Sequence, residues 1–297
     1  MSIARNVRPA SIHLFQFFFE EITYEKDDFY RHPCFAVFIV LKIHLAQAHD
    51  GWVEITPTIV EHGQPIAIAL IQGNHSNEHK SYRIAGKWDA KYVALTVIEP
   101  SGRSMALTQR LFDMGEDDEK VGPKGPKGFH LAPFTPTVDG IFQVYARQQR
   151  ALQQGDGPKL LTVRTAKTAF AVLKTPTVAA AKNLQSFDRI IVGNDALEFI
   201  PLNNPLAIYS GGSITLELHH KGKPASGQII TLVRRVDGFA SVLERPTDDK
   251  GRVTFPVGPA DSYLARVKID EESARPDGQK DKASYESTYI FPVFNRP

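Results

Sequence analysis

Val138-Asp-Gly-Ile-Phe-Gln-Val-Tyr-Ala-Arg147 is a turn followed by a run rich in β-formers, and its reading decides the fold class. Asp139-Gly140 breaks the chain, and Ile141, Phe142, Val144 and Tyr145 then favour an extended, pleated backbone. The pattern recurs outward in both directions. Ile66, Ile68 and Leu70 alternate with Ala67 and Ala69, and Lys91 to Ile98 is rich in β-branched and aromatic residues. Further on, Ile214, Leu216 and Leu218 alternate with Thr215, Glu217 and His219. Ile229–Val233, Val253–Val257, Tyr263–Ile269 and Tyr289–Phe294 complete the series. Short runs separated by Gly, Pro, Asn and Asp clusters predict antiparallel sandwiches, each sheet burying one face.

No segment carries a long amphipathic helical pattern. Thr177-Val-Ala-Ala-Ala-Lys-Asn183 predicts one short helix, and it lies between two strand-rich halves. The fold class is therefore all-β, with two Ig-like antiparallel β-sandwich domains after an N-terminal signal segment. The boundaries are 1–48 for the signal segment, 49–175 for the first sandwich, 176–194 for the linker and 195–297 for the second sandwich.

Cys34 to Leu41 is continuously apolar. Arg31 and His32 precede it, and Ala46-Gln47-Ala48 follows. A basic flank, a short apolar core and a small-x-small end form the secretory pattern, and the core is shorter than the roughly 20 residues of a membrane span. The expectation is export with cleavage after Ala48, so that the working chain starts at His49. The acidic, Phe-rich residues 1–30 fit a start codon assigned too far upstream.

The 297 residues are 42% hydrophobic and 23% charged, with a formal net charge of +2. That balance gives no broad electrostatic case for nucleic acid. The single cysteine, Cys34, lies inside the signal, so the mature chain would have no disulfide and no thiolate. There is no Gly-x-Ser-x-Gly elbow, no His-Glu-x-x-His, no phosphate loop and no dinucleotide fingerprint, and no enzyme is expected.

The candidate chemistry is metal binding through histidine. Cleavage after Ala48 gives His49 a free amine beside its imidazole, and the amine and Nδ1 can chelate one ion. These groups titrate near ~7.8 and ~6.5, so both are available at mildly alkaline pH. His75 and His79, in Gly73-Asn-His-Ser-Asn-Glu-His79, form a histidine loop, and His130 lies within reach of the first-half loops. Nitrogen ligands suit nickel, cobalt or copper, with copper tightest. His219 and His220 are adjacent on a strand, point to opposite faces and do not chelate together. His62, beside Gly63, reads as surface, and Trp52 and Trp88 read as core. Glu286 is expected to pair with an arginine such as Arg266. Gly115 to Gly128 is a charged loop.

His49-Asp-Gly-Trp-Val-Glu54, Leu197-Glu-Phe-Ile-Pro-Leu-Asn-Asn-Pro-Leu-Ala-Ile-Tyr-Ser-Gly-Gly212, Asp248-Asp-Lys-Gly-Arg-Val-Thr-Phe255 and Tyr285-Glu-Ser-Thr288 stand together in this chain. In that combination the chain resembles, over 49–297, the periplasmic domain-of-unknown-function family labelled NikM-like nickel or cobalt transport components. The second half also resembles the carboxypeptidase regulatory-like β-sandwich, through Gly222-Lys-Pro-Ala-Ser-Gly227. The family often has Phe where this chain has Gly51. The resemblance implies an Ig-like fold in the Gram-negative periplasm and an association with metal or TonB-dependent uptake. The expected partners are a metal ion or metal chelate and a membrane transporter or TonB-dependent receptor. The competing expectation is a metal-free envelope module that docks a receptor or permease.

Overall fold

Leu160-Leu-Thr-Val-Arg-Thr-Ala-Lys-Thr-Ala-Phe-Ala-Val-Leu173 forms the spine of the molecule. Its burial is nearly continuous because both faces are covered. The computed structural model describes residues 49–297 except 76–83, 117–125, 192, 194 and 237–238. All described residues lie in one compact unit.

In chain order the strands are β1 (Asp50–Ile55), β2 (Ile59–Glu61), β3 (Ile66–Gly73), β4 (Val93–Ile98), β5 (Ser104–Ala106), β6 (Phe112–Asp113), β7 (Phe129–Phe134), β8 (Gly140–Leu152) and β9 (Leu160–Leu173). The short helix α1 (Val178–Ala181) follows, and Thr177 caps it by accepting from the Ala180 N–H. Then come β10 (Leu197–Pro201), β11 (Ser213–His220), β12 (Lys223–Pro224), β13 (Ile229–Val236), β14 (Phe239–Pro246), β15 (Arg252–Pro256), β16 (Asp261–Ala274) and β17 (Lys280–Val293). Among the described residues no helix is long and apolar enough to cross a membrane.

The described residues form three sheets. The smaller ones run β1-β3-β7-β6 and β10-β11-β12, the second with β15 also on β11. The largest, nine-stranded among the described residues, runs β14-β13-β16-β17-β9-β8-β4-β5, with β2 also on β9. The boundary expected at 175/195 falls between β9 and β10, and this sheet crosses it where β17 pairs with β9, Lys282 opposite Leu160 through Tyr289 opposite Lys167. That pairing and the one between β2 and β9 are parallel, in a fold otherwise built from antiparallel ladders.

Each half has its own core. In the first, Phe142 stacks on Phe170 at 4.9 Å between centroids, and Val53, Ile68, Leu70, Trp88, Leu95 and Val144 close around them. In the second, Phe199, Leu216, Leu218, Phe255, Tyr263, Tyr289 and Phe291 pack together. Alternation along β9 serves both, sending Ala166, Phe170 and Val172 to the first core and Val163 to the second. A smaller cluster forms where Trp52 and Ile71 meet Val233, Ala240 and Leu264. Trp52 and Trp88 are both buried, as their core assignment requires.

Candidate functional site

The start of β1 and the end of β3 form one corner. Asp50 pairs with Gly73, so His49 leaves the ladder on one strand where Asn74 and His75 leave it on the other. His75 is buried, and its Nδ1 lies 3.1 Å from Asp50 Oδ2. Its ring meets the Trp52 indole edge-on at 5.0 Å. Arg266 reaches across from β16 and donates through Nη1 to the same Asp50 oxygen at 2.6 Å. Arg235 of β13 donates through Nη1 to the Asn74 carbonyl at 3.2 Å, fixing the backbone beside the histidine.

Electrostatics sets the protonation pattern of this corner. Burial pushes the Asp50 carboxyl up, but the hydrogen bond and charge of His75 and the guanidinium of Arg266 outweigh it and hold the carboxyl below its ordinary range. A carboxylate only accepts, so His75 Nδ1 is the donor in this bond, and the bond fixes the orientation of the ring. Metal-ligating histidines are commonly held in this way, with one ring nitrogen donating to a carboxylate while the other faces the ion.

The four expected ligands separate. His49 and His75 come to the same corner. His79 lies outside the described residues. His130 is opposite Leu70 and so shares the face that enters the first core, whereas Trp52, paired with Ile71, lies on the other face with Asp50. Its Nε2 donates to the Trp88 carbonyl at 2.7 Å. The expected convergence of His130 with His49 and His75 is therefore corrected by strand alternation, which sends its ring through to the opposite side of the sheet. Among the described residues no group of three or more His, Cys, Asp or Glu gathers closely enough to hold a metal ion.

Other expectations sort as follows. His219 turns to Glu217, with Nε2 2.6 Å from Oε1, while His220 meets the Tyr285 ring at 4.8 Å, so the two do point to opposite faces. His62 is at the surface beside Asp139. Glu286 takes Arg164 at 2.8 Å rather than Arg266, whose guanidinium is engaged by Asp50. Gly51 admits no side chain: a Cβ there would lie 2.7 Å from Trp88 Cζ2 and 2.8 Å from Arg164 Cδ. The indole and guanidinium, 5.8 Å apart, fill the space a larger residue would take. In the charged loop, the described ends meet where Glu116 N–H donates to the Lys127 carbonyl.

Asp50, Arg235 and Arg266 were not singled out as site residues. Only Asp50 carried a sequence signal, its place next to His49. A second buried polar cluster was equally hidden. Lys167 of β9 donates through Nζ to Glu198 Oε1 and to the Arg189 carbonyl, both at 2.7 Å, and Glu198 also accepts from the Ile191 N–H at 2.9 Å. Burial depresses the Lys167 ammonium pKa and raises that of the nearby Tyr145 hydroxyl. A cavity of about 540 Å³ is lined by Lys159, Leu161, Glu271 and Asp281, and one of about 610 Å³ by Ile208, Tyr209 and Arg296. Neither includes an expected ligand.

Comparison with solved structures gives distant likenesses. A DUF4785 family protein from Legionella pneumophila is 11% identical with a TM-score of 0.24, over 72% of this chain and 50% of its own. The chain thus spans half the length of that protein. A two-domain fibronectin type-III segment from chicken tenascin is 10% identical with a TM-score of 0.20, over 82% of this chain and 99% of its own. The major pilin subunit BcpA of Bacillus cereus is 10% identical with a TM-score of 0.21, over 84% and 71% respectively. Comparison with curated proteins found no match. The model of the family described as Domain of unknown function (DUF4198) matches residues 46–271, and the chain belongs to that family.

Proposed function

We propose that the chain is a non-catalytic periplasmic component that binds a transition-metal ion, or its chelate, for an uptake system of the nickel or cobalt kind. The observation that carries this reading is the Asp50–His75 pair beside His49. Asp50 orients the His75 ring through Nδ1, at the same corner as the amine and imidazole that cleavage after Ala48 would provide. Resemblance to the NikM-like label supports the same class of cargo. Export and cleavage are part of the proposal, because the amine exists only after processing.

The test is a metal titration of chain beginning at His49, against the same chain with one additional residue before it. Nickel, cobalt and copper are each measured, with copper the tightest. Binding should weaken at least tenfold in the extended chain and also in His75→Ala. Equal affinity in all three proteins would sink the metal site.

The competing reading, a metal-free module that docks an envelope receptor or permease, is favoured by one observation. The edge strand β14 exposes Phe239, Val242 and Leu243. Unchanged metal affinity together with receptor capture that depends on these residues would favour that reading.

A further inference from the structure

We infer that the cavity of about 610 Å³ beside Tyr209 is a binding site for a small organic anion, a carboxylate carried on an apolar or aromatic body. Its walls come mainly from Asn203-Asn-Pro-Leu-Ala-Ile-Tyr-Ser-Gly-Gly212, a stretch that the metal reading leaves without a role. The cavity shares no residue with the Asp50 corner, and the inference does not depend on metal binding.

The walls are preformed. Tyr209 to Gly212 is a turn in which the Gly212 N–H donates to the Tyr209 carbonyl at 2.8 Å, with Gly211 at a φ of +76° that favours glycine. Its main chain is tied down on both sides. Ser210 N–H donates to the Phe294 carbonyl at 2.9 Å, Gly211 N–H to the Val257 carbonyl at 3.1 Å, and Val257 N–H to the Gly212 carbonyl at 3.0 Å. Asn203 accepts from the Thr215 N–H at 2.7 Å and donates to the Ser213 carbonyl at 3.0 Å. Asn204 donates to the Ala181 carbonyl at 2.8 Å and to the Lys182 carbonyl at 3.3 Å, which anchors the backbone of Lys182 beside the cavity. A wall held in this way loses little freedom when a ligand arrives.

The ligand class follows from the charge and the walls. Lys182 and Arg296 both line the cavity, and no Asp or Glu side chain lines it among the described residues. Arg296 donates through Nε to the Ser210 carbonyl at 3.0 Å, and its Nη2 lies 3.2 Å from the position of a Cβ on Gly211, so the glycine makes room for the guanidinium. Among the described residues neither cation enters an ion pair, whereas Arg103, Arg164, Arg252 and Arg266 each have a carboxylate. A guanidinium takes a carboxylate through two parallel hydrogen bonds, and a nearby ammonium adds a second positive charge. Ile208, Tyr209 and Pro297 offer apolar surface beside these cations, which suits an organic body better than a bare inorganic anion.

The test is a titration of the full chain with benzoate, benzamide and inorganic phosphate, followed through the NMR amide resonances of Ile208 to Ser213. Benzoate should shift these resonances. Benzamide, which keeps the ring without the charge, and phosphate, which keeps the charge without the ring, should each bind at least about fivefold more weakly. Lys182→Gln and Arg296→Gln should each weaken benzoate at least about fivefold with an unchanged unfolding transition. Lys182→Gln keeps the test sound if Arg296→Gln disturbs the turn, because the Lys182 side chain is exposed and Asn204 holds only its main chain. His75→Ala, which abolishes the metal site, should leave benzoate binding unchanged, so the two readings fail separately. Benzoate that leaves these resonances in place, equal affinity for benzamide or for phosphate, or unchanged binding in Lys182→Gln overturns the proposal.

Discussion

Asp50 and Glu198 are both buried carboxylates, and each takes a basic partner from the largest sheet, but they solve the problem differently. Glu198 sits opposite Lys167 in a sealed interior, with side chains 3% and 2% exposed, and the Ile191 amide supplies a further donor. Asp50 shares one oxygen between His75 and Arg266, and the Arg266 side chain is 27% exposed. The first arrangement fixes where β10 lies on β9. The second fixes a histidine ring at the beginning of β1, at the corner that His49 shares. Buried charge alone therefore does not mark a site; what distinguishes Asp50 is that its partners are a histidine and a partly exposed arginine rather than a sealed lysine.

The largest expected effect tests the sealed pair. Lys167→Ala leaves the Glu198 carboxylate uncompensated and should lower unfolding stability by about 3–5 kcal/mol, measured by urea titration. The double variant Lys167→Met with Glu198→Leu should recover most of that loss, because two desolvated charges then give way to apolar side chains of similar size. If the single variant changed stability by under ~1 kcal/mol, the cluster would be solvated and the contrast with Asp50 would fail.

Gly51 follows Asp50 in β1 and lies against the Trp88 and Arg164 side chains. Trp88 has nowhere to move, because it is fully buried and its Nε1 donates to the Ile71 carbonyl at 2.8 Å. Gly51→Ala should therefore destabilise by about 1–3 kcal/mol through overpacking. A shift in tryptophan fluorescence should accompany the change. Full stability in Gly51→Phe would show that this wedge rearranges freely and that the corner is less fixed than Trp88 makes it.

These contrasts explain what the sequence disclosed. The alternating strands were legible: Ile66–Leu70 falls in β3, Ile214–Leu218 in β11 and Tyr263–Ile269 in β16. The short helix after Thr177 was legible from its cap and alanines. β9 was not, because a strand buried on both faces loses its period-2 signal and here carries Lys167 in its middle. For the site, His49 and His75 were legible as chemistry, and their approach depends on the register that sets Asp50 opposite Gly73. His130 misled because a one-residue difference in strand parity changes its face. Arg266 was invisible as a partner, since 216 residues separate it from Asp50.

Asp50→Asn tests the open cluster and should cost about 1–2 kcal/mol at neutral pH by weakening charge-assisted hydrogen bonds. The sign follows from the lowered carboxyl pKa of folded Asp50. Its contribution is fully present above the unfolded value, ~3.9, and is lost as pH falls through the folded value. The stability gap between parent and Asp50→Asn should therefore be constant above about pH 5 and close in acid. A gap that widened in acid would mean that burial, rather than His75 and Arg266, governs this carboxyl.

The smallest effect sets the lower end of the comparison. His62 and Asp139 also form a histidine–carboxylate pair, at 2.8 Å, but their side chains are 47% and 39% exposed. Water screens the interaction and solvates either partner alone, so His62→Ala should change stability by less than about 0.5 kcal/mol. Its metal affinity should equal the parent's, while His75→Ala loses binding. The two histidines have the same partner chemistry and similar separations, so any difference between the variants reports burial and proximity to His49. If His62→Ala weakened metal binding as much as His75→Ala, the ion would be held by scattered surface imidazoles, and the corner at Asp50 would have no special role.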